Sequence, residues 1–374
     1  MYPLDCVLEC HSSAEHLGQI FCGFAALRSR GLIRLAVRPA ADYSGSIYGT
    51  PLAHATLSSQ ALNAPLRVTF DVSDTCAVPD DLYGSDYYFL RSYQRNLLCS
   101  HPLTNRIFPL GLNYGIFTKD SFFLRRALWS PKPKDAARLL AIHAKSLSRL
   151  LGIQNSAVSC DPSRFEGLPL YPAEPRVIFM TQAWLPSRVQ DPEKKEERHR
   201  INSMRAACIE ALRKEFKQRF IGGFAPDSYV RQNFPGCVVE DARLTTKARY
   251  LRTMQSCSIG IATRGLAGST GWKFAEYVAA AKAIVTEPLL SEVPGSFGPE
   301  KNYLEFNSPD ECVGQVARLM QEHTLRSDMM RANHAYYQCF VRPDALVWNA
   351  LCTALSHPIE IHSAKMSLHA AHGN

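Results

Sequence analysis

The chain has 374 residues and a formal net charge of +8, from 42 basic and 34 acidic residues, with 46 % hydrophobic and 20 % charged residues. That composition belongs to a folded globular protein and excludes a disordered tail, a collagen-like repeat and a coiled coil; the length suits two domains. No run approaches the ~18–20 apolar residues of a membrane-crossing helix, and the opening MYPLDCVLECHSSAEH lacks the basic and apolar regions of a signal peptide.

In chain order, LDCVLEC (4–10) reads as a buried strand. A helical pattern through Leu17, Ile20, Phe21, Phe24 and Leu27 follows and stops near Gly31. LIRLAV (32–37) and LRVTFDVS (66–73) are further strands, RIFPLGL (106–112) is a short one ending in a glycine turn, and 135–151 is a helix with a leucine face. Pro162, Gly167, Pro169, Pro172 and Pro175 mark a change of texture around 152–175 and a domain boundary. Strands then fall at 176–182, 219–224, 258–263 and 283–288, and helices at 201–216, 246–257, 271–282, 309–320 and 325–340; the nearly all-polar stretch 186–200 reads as a mobile loop. Such β-α alternation predicts two Rossmann-like, doubly wound α/β domains facing a cleft: 1–165, 166–334, and a C-terminal helix and tail, 335–374, crossing back onto the first. Ligands of such sheets lie outside the carboxyl ends of the strands, so residues just after strands are the ones that matter.

The twelve cysteines contain no C-x-x-C pair and sit mostly in apolar runs, which points to buried thiols of a reducing compartment rather than zinc; Cys6, Cys10, His11 and His16 form the only metal-like cluster. Basic residues are densest over 120–150 (Arg125, Arg126, Lys132, Lys134, Arg138, Lys145 and Arg149), a pattern suited to an anionic membrane surface or an anionic substrate. No nucleic-acid module accompanies them.

The segment SIGIATRGLAGSTGWKFAEYVAAAKAIVTEP (258–288) concentrates the chemistry. A strand runs into a loop with Gly265, Gly268 and Gly271 and then into a helix, for which Ser269 or Thr270 is the expected cap. Small residues let backbone approach a ligand, the helix N-terminus favours phosphate, Lys273 adds a full charge, and Glu276 shares its face, placed to accept both hydroxyls of a ribose. The spacing is neither a Walker loop nor a dinucleotide fingerprint. Arg264, directly after a strand, and Arg205 and Lys247 are candidates for neutralising a diphosphate without a metal. Thr181 and Gln182 end a strand at the cleft, and Gly222 and Gly223 permit close backbone approach. On the acceptor side His11 and Glu15 follow the first strand and Asp71 and Asp74 the third; His11 and Asp74 are the candidate bases, with Glu15 and Arg91 toward the acceptor. Arg91 has Asp86 as a nearby acidic partner in sequence, and Trp272 reads as a core aromatic.

The glycine/serine loop, the basic residue opening a helix with F-x-E, and the short strand before a proline together resemble the donor site of GT-B glycosyltransferases. SEVPG (291–295), KNYLEF (301–306) and SPDEC (308–312) are similar to the segments that follow it there, RVIFMTQAW (176–184) and FIGGF (220–224) to segments upstream, and YYFLRSYQRN with RIFPLGLNY (87–114) to bacterial surface-polysaccharide glycosyltransferases of family 1/4-like type. The resemblance implies an enzyme that moves a sugar from a nucleotide-diphosphate sugar to a hydroxyl acceptor, a glycan or lipid-linked glycan, with Glu276 holding the ribose, acceptor on the N-terminal half and donor on the C-terminal half. No metal or cofactor is expected, and the setting implied is the cytoplasm, with peripheral contact at the inner face of the membrane. Retaining members often carry E-x7-E; Gly268 stands at the first of those positions, so the stereochemistry stays open. An epimerase of nucleotide sugars on the same fold, or a degenerate nucleotide-binding scaffold, are the alternatives.

Overall fold

The computed structural model describes residues 4–46, 48–118, 122–147 and 161–356. Arg149, the start of the expected domain boundary (152–160) and the tail beyond 356 lie outside the described residues, as does the side chain of Lys145.

The N-terminal half holds β1 (Leu4–Cys10), α1 (Gly18–Ser29), β2 (Ile33–Pro39), β3 (Leu52–Ser58), β4 (Leu66–Asp71), β5 (Tyr87–Leu90), α2 (Arg95–Leu98), β6 (Ile107–Pro109), α3 (Phe123–Trp129) and α4 (Pro133–Leu147). Its six strands form one sheet in the order β2-β1-β3-β4-β5-β6. The expected all-parallel winding is broken by β3, which runs antiparallel to both β1 and β4. The connection to β4, residues 59–65, is too short for the crossover a parallel neighbour requires, so the two strands close as a hairpin. The antiparallel strand also brings Thr50 and Pro51 to the sheet edge where β1, β2, β4 and β5 end.

β3 was hard to see in sequence because LAHATLS carries a histidine at its centre. In the fold that histidine is buried: His54 Nδ1 lies 2.8 Å from Thr69 Oγ1, which lies 2.6 Å from Ser85 Oγ. Burial, together with the positive charge of Arg67, pushes its pKa down to about 4. A depressed base makes the native state refuse a proton that the unfolded chain accepts. Stability is therefore full above the ordinary histidine pKa and falls as pH drops from ~6.5 toward 4, by an amount on the order of 3 kcal/mol. Urea unfolding at pH 7 and pH 4.5 should show a larger loss for the wild type than for His54→Asn; equal losses would contradict the buried neutral imidazole.

The C-terminal half holds β7 (Val177–Thr181), α5 (Pro192–Phe216), β8 (Phe220–Phe224), α6 (Ser228–Asn233), α7 (Lys247–Ser256), β9 (Ile259–Ala262), α8 (Trp272–Ala279), β10 (Ala283–Thr286), β11 (Leu304–Glu305), α9 (Pro309–Gln321), α10 (His323–Tyr336) and α11 (Pro343–Ser356). Its five strands are all parallel, in the order β11-β10-β9-β7-β8. Core residues Cys208, Ile209, Leu212, Val316 and Leu319 place α5 and α9 on one face, and Tyr250, Met254, Phe274 and Val278 place α7 and α8 on the other. The strand sequence reverses direction between β7 and β9, which makes their carboxyl ends the natural crevice.

The charged stretch read as a mobile loop is instead the first turns of α5. Asp191 caps it by accepting from the Glu193 and Lys194 amides, and Pro192 occupies the first turn, where its missing N–H costs nothing.

After α10 the chain makes a π-helical turn at Tyr337–Val341 and returns to the first domain. α11 inserts Leu346, Val347, Ala350 and Leu351 into the core built by Phe21 and Phe24 of α1. Each such apolar side chain taken from water contributes about 1.5–3 kcal/mol, so this helix belongs energetically to the N-terminal half. Gly23 permits the approach, since a Cβ there would strike the Pro343 carbonyl and Val347. Gln19 Nε2 donates to the Val341 carbonyl at 2.6 Å, fixing the point of return.

The two halves meet at the carboxyl ends of their strands. Arg91 Nη2 donates to the Thr270 carbonyl at 2.7 Å, the Glu292 amide donates to the Tyr93 carbonyl at 2.9 Å, and the His16 ring packs edge-on to Trp272 at 4.8 Å. Trp272 is thus a domain-contact residue, only half-buried, rather than core.

Candidate functional site

The donor-side chemistry gathers around one buried carboxylate. β9 ends at Ala262, and the chain turns back on itself as a tight loop closed by a backbone bridge between Arg264 and Thr270 and by the Gly265 amide on the Ser269 carbonyl at 2.8 Å. α8 then begins with Gly271 as its N-cap, without a side-chain cap. The expectation that Ser269 or Thr270 caps it is corrected: Ser269 is buried inside the loop and the Thr270 carbonyl faces Arg91.

One turn into α8, Glu276 is 2 % exposed and fully engaged. Its Oε1 accepts from Lys247 Nζ at 2.9 Å, and its Oε2 accepts from Lys273 Nζ at 3.1 Å and from the Tyr250 hydroxyl at 2.7 Å. Burial alone would raise its pKa; the two ammonium groups and the hydrogen bonds from Lys247 and Tyr250 overcome that and bring it down to about 2. Burial lowers Lys273 to about 8 despite its carboxylate partner. Lys273 also sits 3.3 Å from the centroid of the Tyr250 ring, and Lys247 lies 4.4 Å from that of Phe165. Two cations against one carboxylate leave a net positive charge beside the first turn of α8, a placement that favours an anion.

Arg205 and Arg264 turn out to be occupied. Arg205 is 6 % exposed, and its guanidinium donates to Thr263 Oγ1 at 2.9 Å, the Gln182 carbonyl at 2.7 Å and the Arg264 carbonyl at 3.1 Å. Burial lowers its pKa to about 10. It ties the ends of β7 and β9 together at the crevice, so it braces the site and is not spread toward a diphosphate. Arg264 Nε donates to the Pro288 carbonyl and its amide to Glu287, which buttresses the loop after β9 against the exit of β10. Thr181 ends β7 half-buried, with its carbonyl taken by the Ala225 amide.

Gly222 and Gly223 serve the chain itself. A Cβ at Gly222 would strike the Phe179 carbonyl, and one at Gly223 (φ +144°) would lie 2.6 Å from the Cys237 carbonyl. Gly223 admits residues 237–239 against β8, and Gly222 admits the close approach of β7.

Gly268 has a conformational reason to be glycine. Its φ is +67°, and a Cβ would lie 2.6 Å from Leu290 Cδ1. The glutamate expected of E-x7-E would occupy a left-handed position at a cost of about 1–2 kcal/mol before any clash. Gly268→Glu should lower the melting temperature in a thermal denaturation scan; an unchanged value would contradict this loop geometry.

On the N-terminal wall the candidate bases part company. Asp74, 43 % exposed at its side chain, is paired with the buried Arg91 at 2.8 Å. Arg91 pairs there rather than with Asp86, whose carboxylate accepts from the Arg67 amide. Arg91 is thus a strut from Asp74 to the Thr270 loop, not an acceptor-facing cation. His11 Nδ1 lies 2.5 Å from Asp42 Oδ1, and its Nε2 is buried without a partner. Asp71 is buried against the Tyr88 hydroxyl at 2.6 Å and is structural. Glu15 is half-buried, and desolvation raises its pKa against the pull of Arg138.

One residue of this wall escaped the sequence reading as a functional candidate. Asp42 follows β2, the parallel neighbour of β1, so both strand ends deliver their next residues to one edge; the strand order is the signal. His16 lies against Trp272, with its pKa lowered by burial and by Arg91. Cys6 and Cys10 are buried in the core beneath, away from that surface. Among the described residues no group of three His, Cys, Asp or Glu side chains is placed to hold a metal.

Residues 199–344, which span α5 to the first turn of α11 and so include the Glu276 cluster, match the family described as glycosyl transferase-like. The two facing α/β halves have the GT-B arrangement. Among solved structures the chain is similar to the C-terminal domain of a group 1 glycosyl transferase from Francisella tularensis (13 % identity, TM-score 0.31, 48 % of this chain and 96 % of that one). It is also similar to HepE from Anabaena, crystallised with UDP-glucose (12 % identity, TM-score 0.36, 73 % and 64 %), and to a sucrose-phosphate synthase from Thermosynechococcus elongatus (10 % identity, TM-score 0.36, 73 % and 74 %). No curated protein matches the chain.

Proposed function

We propose that the protein transfers a glycosyl group from a nucleotide-diphosphate sugar to a hydroxyl of a glycan or lipid-linked glycan. The observation that carries this reading is the buried Glu276 held by Lys247, Lys273 and Tyr250 beside the first turn of α8, inside the family-matched span. In it Glu276 exchanges an ammonium partner for the ribose hydroxyls, and Lys273, with the α8 amides, takes charge developing on the departing diphosphate. Preorganised cations of this kind supply the stabilisation without a reorganisation cost at the moment of transfer. Across the cleft the His11–Asp42 pair is the base that receives the acceptor proton, through the exposed Asp42 carboxylate that His11 Nδ1 holds in place.

Polysaccharide or glycoconjugate assembly at the inner face of a membrane is the setting this reading favours. α3 and α4 expose Leu124, Leu128 and Leu140 alongside Arg125, Lys132, Lys134 and Arg138, a mixture suited to anionic head groups. Arg126 does not share that surface; its guanidinium is buried 4.3 Å from the centroid of the Phe21 ring. Among the described residues no helix is long and apolar enough to cross a membrane.

The test is donor turnover. The intact chain, given a panel of nucleotide sugars and glycan acceptors, should release nucleoside diphosphate only when an acceptor is present. Interconversion of free nucleotide sugars without an acceptor would favour an epimerase, and no turnover with any donor would remove the enzymatic reading.

A further inference from the structure

The pole of the C-terminal half opposite the crevice holds a cavity of its own. Its volume is about 610 Å³, and it opens beside β8, between the end of α5 and α7. Arg176 directly precedes β7 and Phe220 opens β8, so the cavity begins at the amino ends of these strands. At ~3.3 Å per strand residue, Phe220 lies about 13 Å from Phe224, the end of β8 nearer the crevice. The size falls within the ~300–1,000 Å³ of ordinary ligand sites.

The wall is electropositive. Arg176, Arg213 and Lys217 stand against one carboxylate, Glu240, which leaves a surplus of two positive charges. Arg213 is fixed: its guanidinium donates to the Gly236 carbonyl, to that of Gly222 at 3.0 Å and to that of Val238 at 3.2 Å. Arg176 and Lys217 are exposed, and among the described residues neither side chain has a hydrogen-bond or ion-pair partner. Ile221 and Leu244 add apolar surface.

Lys217 is held in an unfavourable backbone conformation. It follows α5 with φ +47° and ψ −121°, values that glycine adopts freely and lysine only under strain. Glycine is the usual residue where a helix ends on a positive φ. The chain instead places an ammonium group there, on the cavity wall.

These groups select an anion with an apolar body. A surplus of two charges matches the roughly −1.5 to −2 of a phosphate monoester at pH 7. A guanidinium offers phosphate oxygens a planar fork, and an ammonium a compact point charge. Glu240 follows Val239, whose amide donates to the Phe224 carbonyl, so it sits toward the other end of β8 from Arg176. The volume beyond the phosphate, lined by Ile221 and Leu244, suits an apolar organic part.

We propose that this cavity binds a small phosphate monoester with an apolar body, its phosphate held by Arg176 and Lys217. The site shares no residue with the Glu276 cluster and does not depend on the transferase reading.

Calorimetric titration of the intact chain with phenyl phosphate, inorganic phosphate and benzoate tests it. Phenyl phosphate should bind saturably and about tenfold more tightly than either of the others, since inorganic phosphate lacks the ring and benzoate the second charge. Arg176→Ala and Lys217→Gly should each weaken it about tenfold, the loss of one charge-assisted contact. Thermal melts without ligand should show Lys217→Gly at least as stable as the wild type, because glycine relieves the strain; its lost affinity is then no folding defect. No binding of phenyl phosphate, or binding indifferent to both substitutions, would overturn the proposal. So would binding lost in Lys273→Ala but kept in Arg176→Ala, which would place the anion at the Glu276 cluster. Equal affinity for benzoate would overturn the phosphate as the ligand class.

Discussion

Replacing Glu276 with alanine should weaken nucleoside diphosphate binding by about a hundredfold, the loss of a bidentate, charge-assisted contact to a ribose. Two further consequences separate this residue from a merely structural one. Removing the carboxylate leaves Lys247 and Lys273, whose side chains are 25 % and 36 % exposed, facing each other without a counter-ion, which destabilises the fold. Lys273 then relieves the strain by losing its proton, since burial already holds it near 8. The variant should thus be destabilised near neutral pH and recover part of the loss as pH rises through 8–10. Glu276→Gln, which keeps an acceptor for Tyr250 but removes the charge, should lose affinity with a smaller loss of stability. Calorimetric titration beside thermal melts at pH 7 and pH 9 checks both; a variant that is stable and still binds nucleotide would end the ribose assignment.

The second large effect is expected at His11. His11→Ala should lower kcat by about 10²–10⁴ while leaving nucleotide affinity unchanged, the pattern of a lost general base. Asp42→Asn should lower kcat by a similar factor, because the exposed carboxylate of the pair is replaced by an amide that cannot take the proton. Asp74→Asn is the control: Asp74 is committed to Arg91, and its loss should disturb the contact with the Thr270 loop. If Asp74→Asn abolishes turnover and His11→Ala does not, the base assignment is inverted.

What could be read before the fold was known was mostly local. Lys273 and Glu276 are three residues apart on one helix, so their pairing follows from helical spacing. Lys247 joins them only because α7 packs beside α8, and spacing cannot show that. The strand alternation of the C-terminal half is legible because its strands are apolar on both faces. β3 hid because its buried histidine looks like an interruption, and its direction depends on the short link to β4. The start of α5 carried a usable signal in Asp191–Pro192–Glu193, a capped helix opening outweighed by the charged composition around it.

Arginine roles were the least legible. Arg91, Arg126, Arg205 and Arg264 all sit in sequence contexts that suit a phosphate or a membrane. Tertiary structure sends Arg91, Arg205 and Arg264 to backbone carbonyls and Arg126 over a phenylalanine ring. A guanidinium presents five donors, so the surrounding carbonyls, not the local sequence, decide its role.

The central claim is that the Glu276 cluster binds the nucleotide of a glycosyl donor. Its most direct measurement is calorimetric titration of the intact wild-type chain with UDP, dTDP and GDP in parallel. The account predicts saturable binding of at least one of them to a single site, weakened by salt as the charge of Lys247 and Lys273 is screened; no binding of any of the three, or binding indifferent to Glu276→Ala, would contradict it.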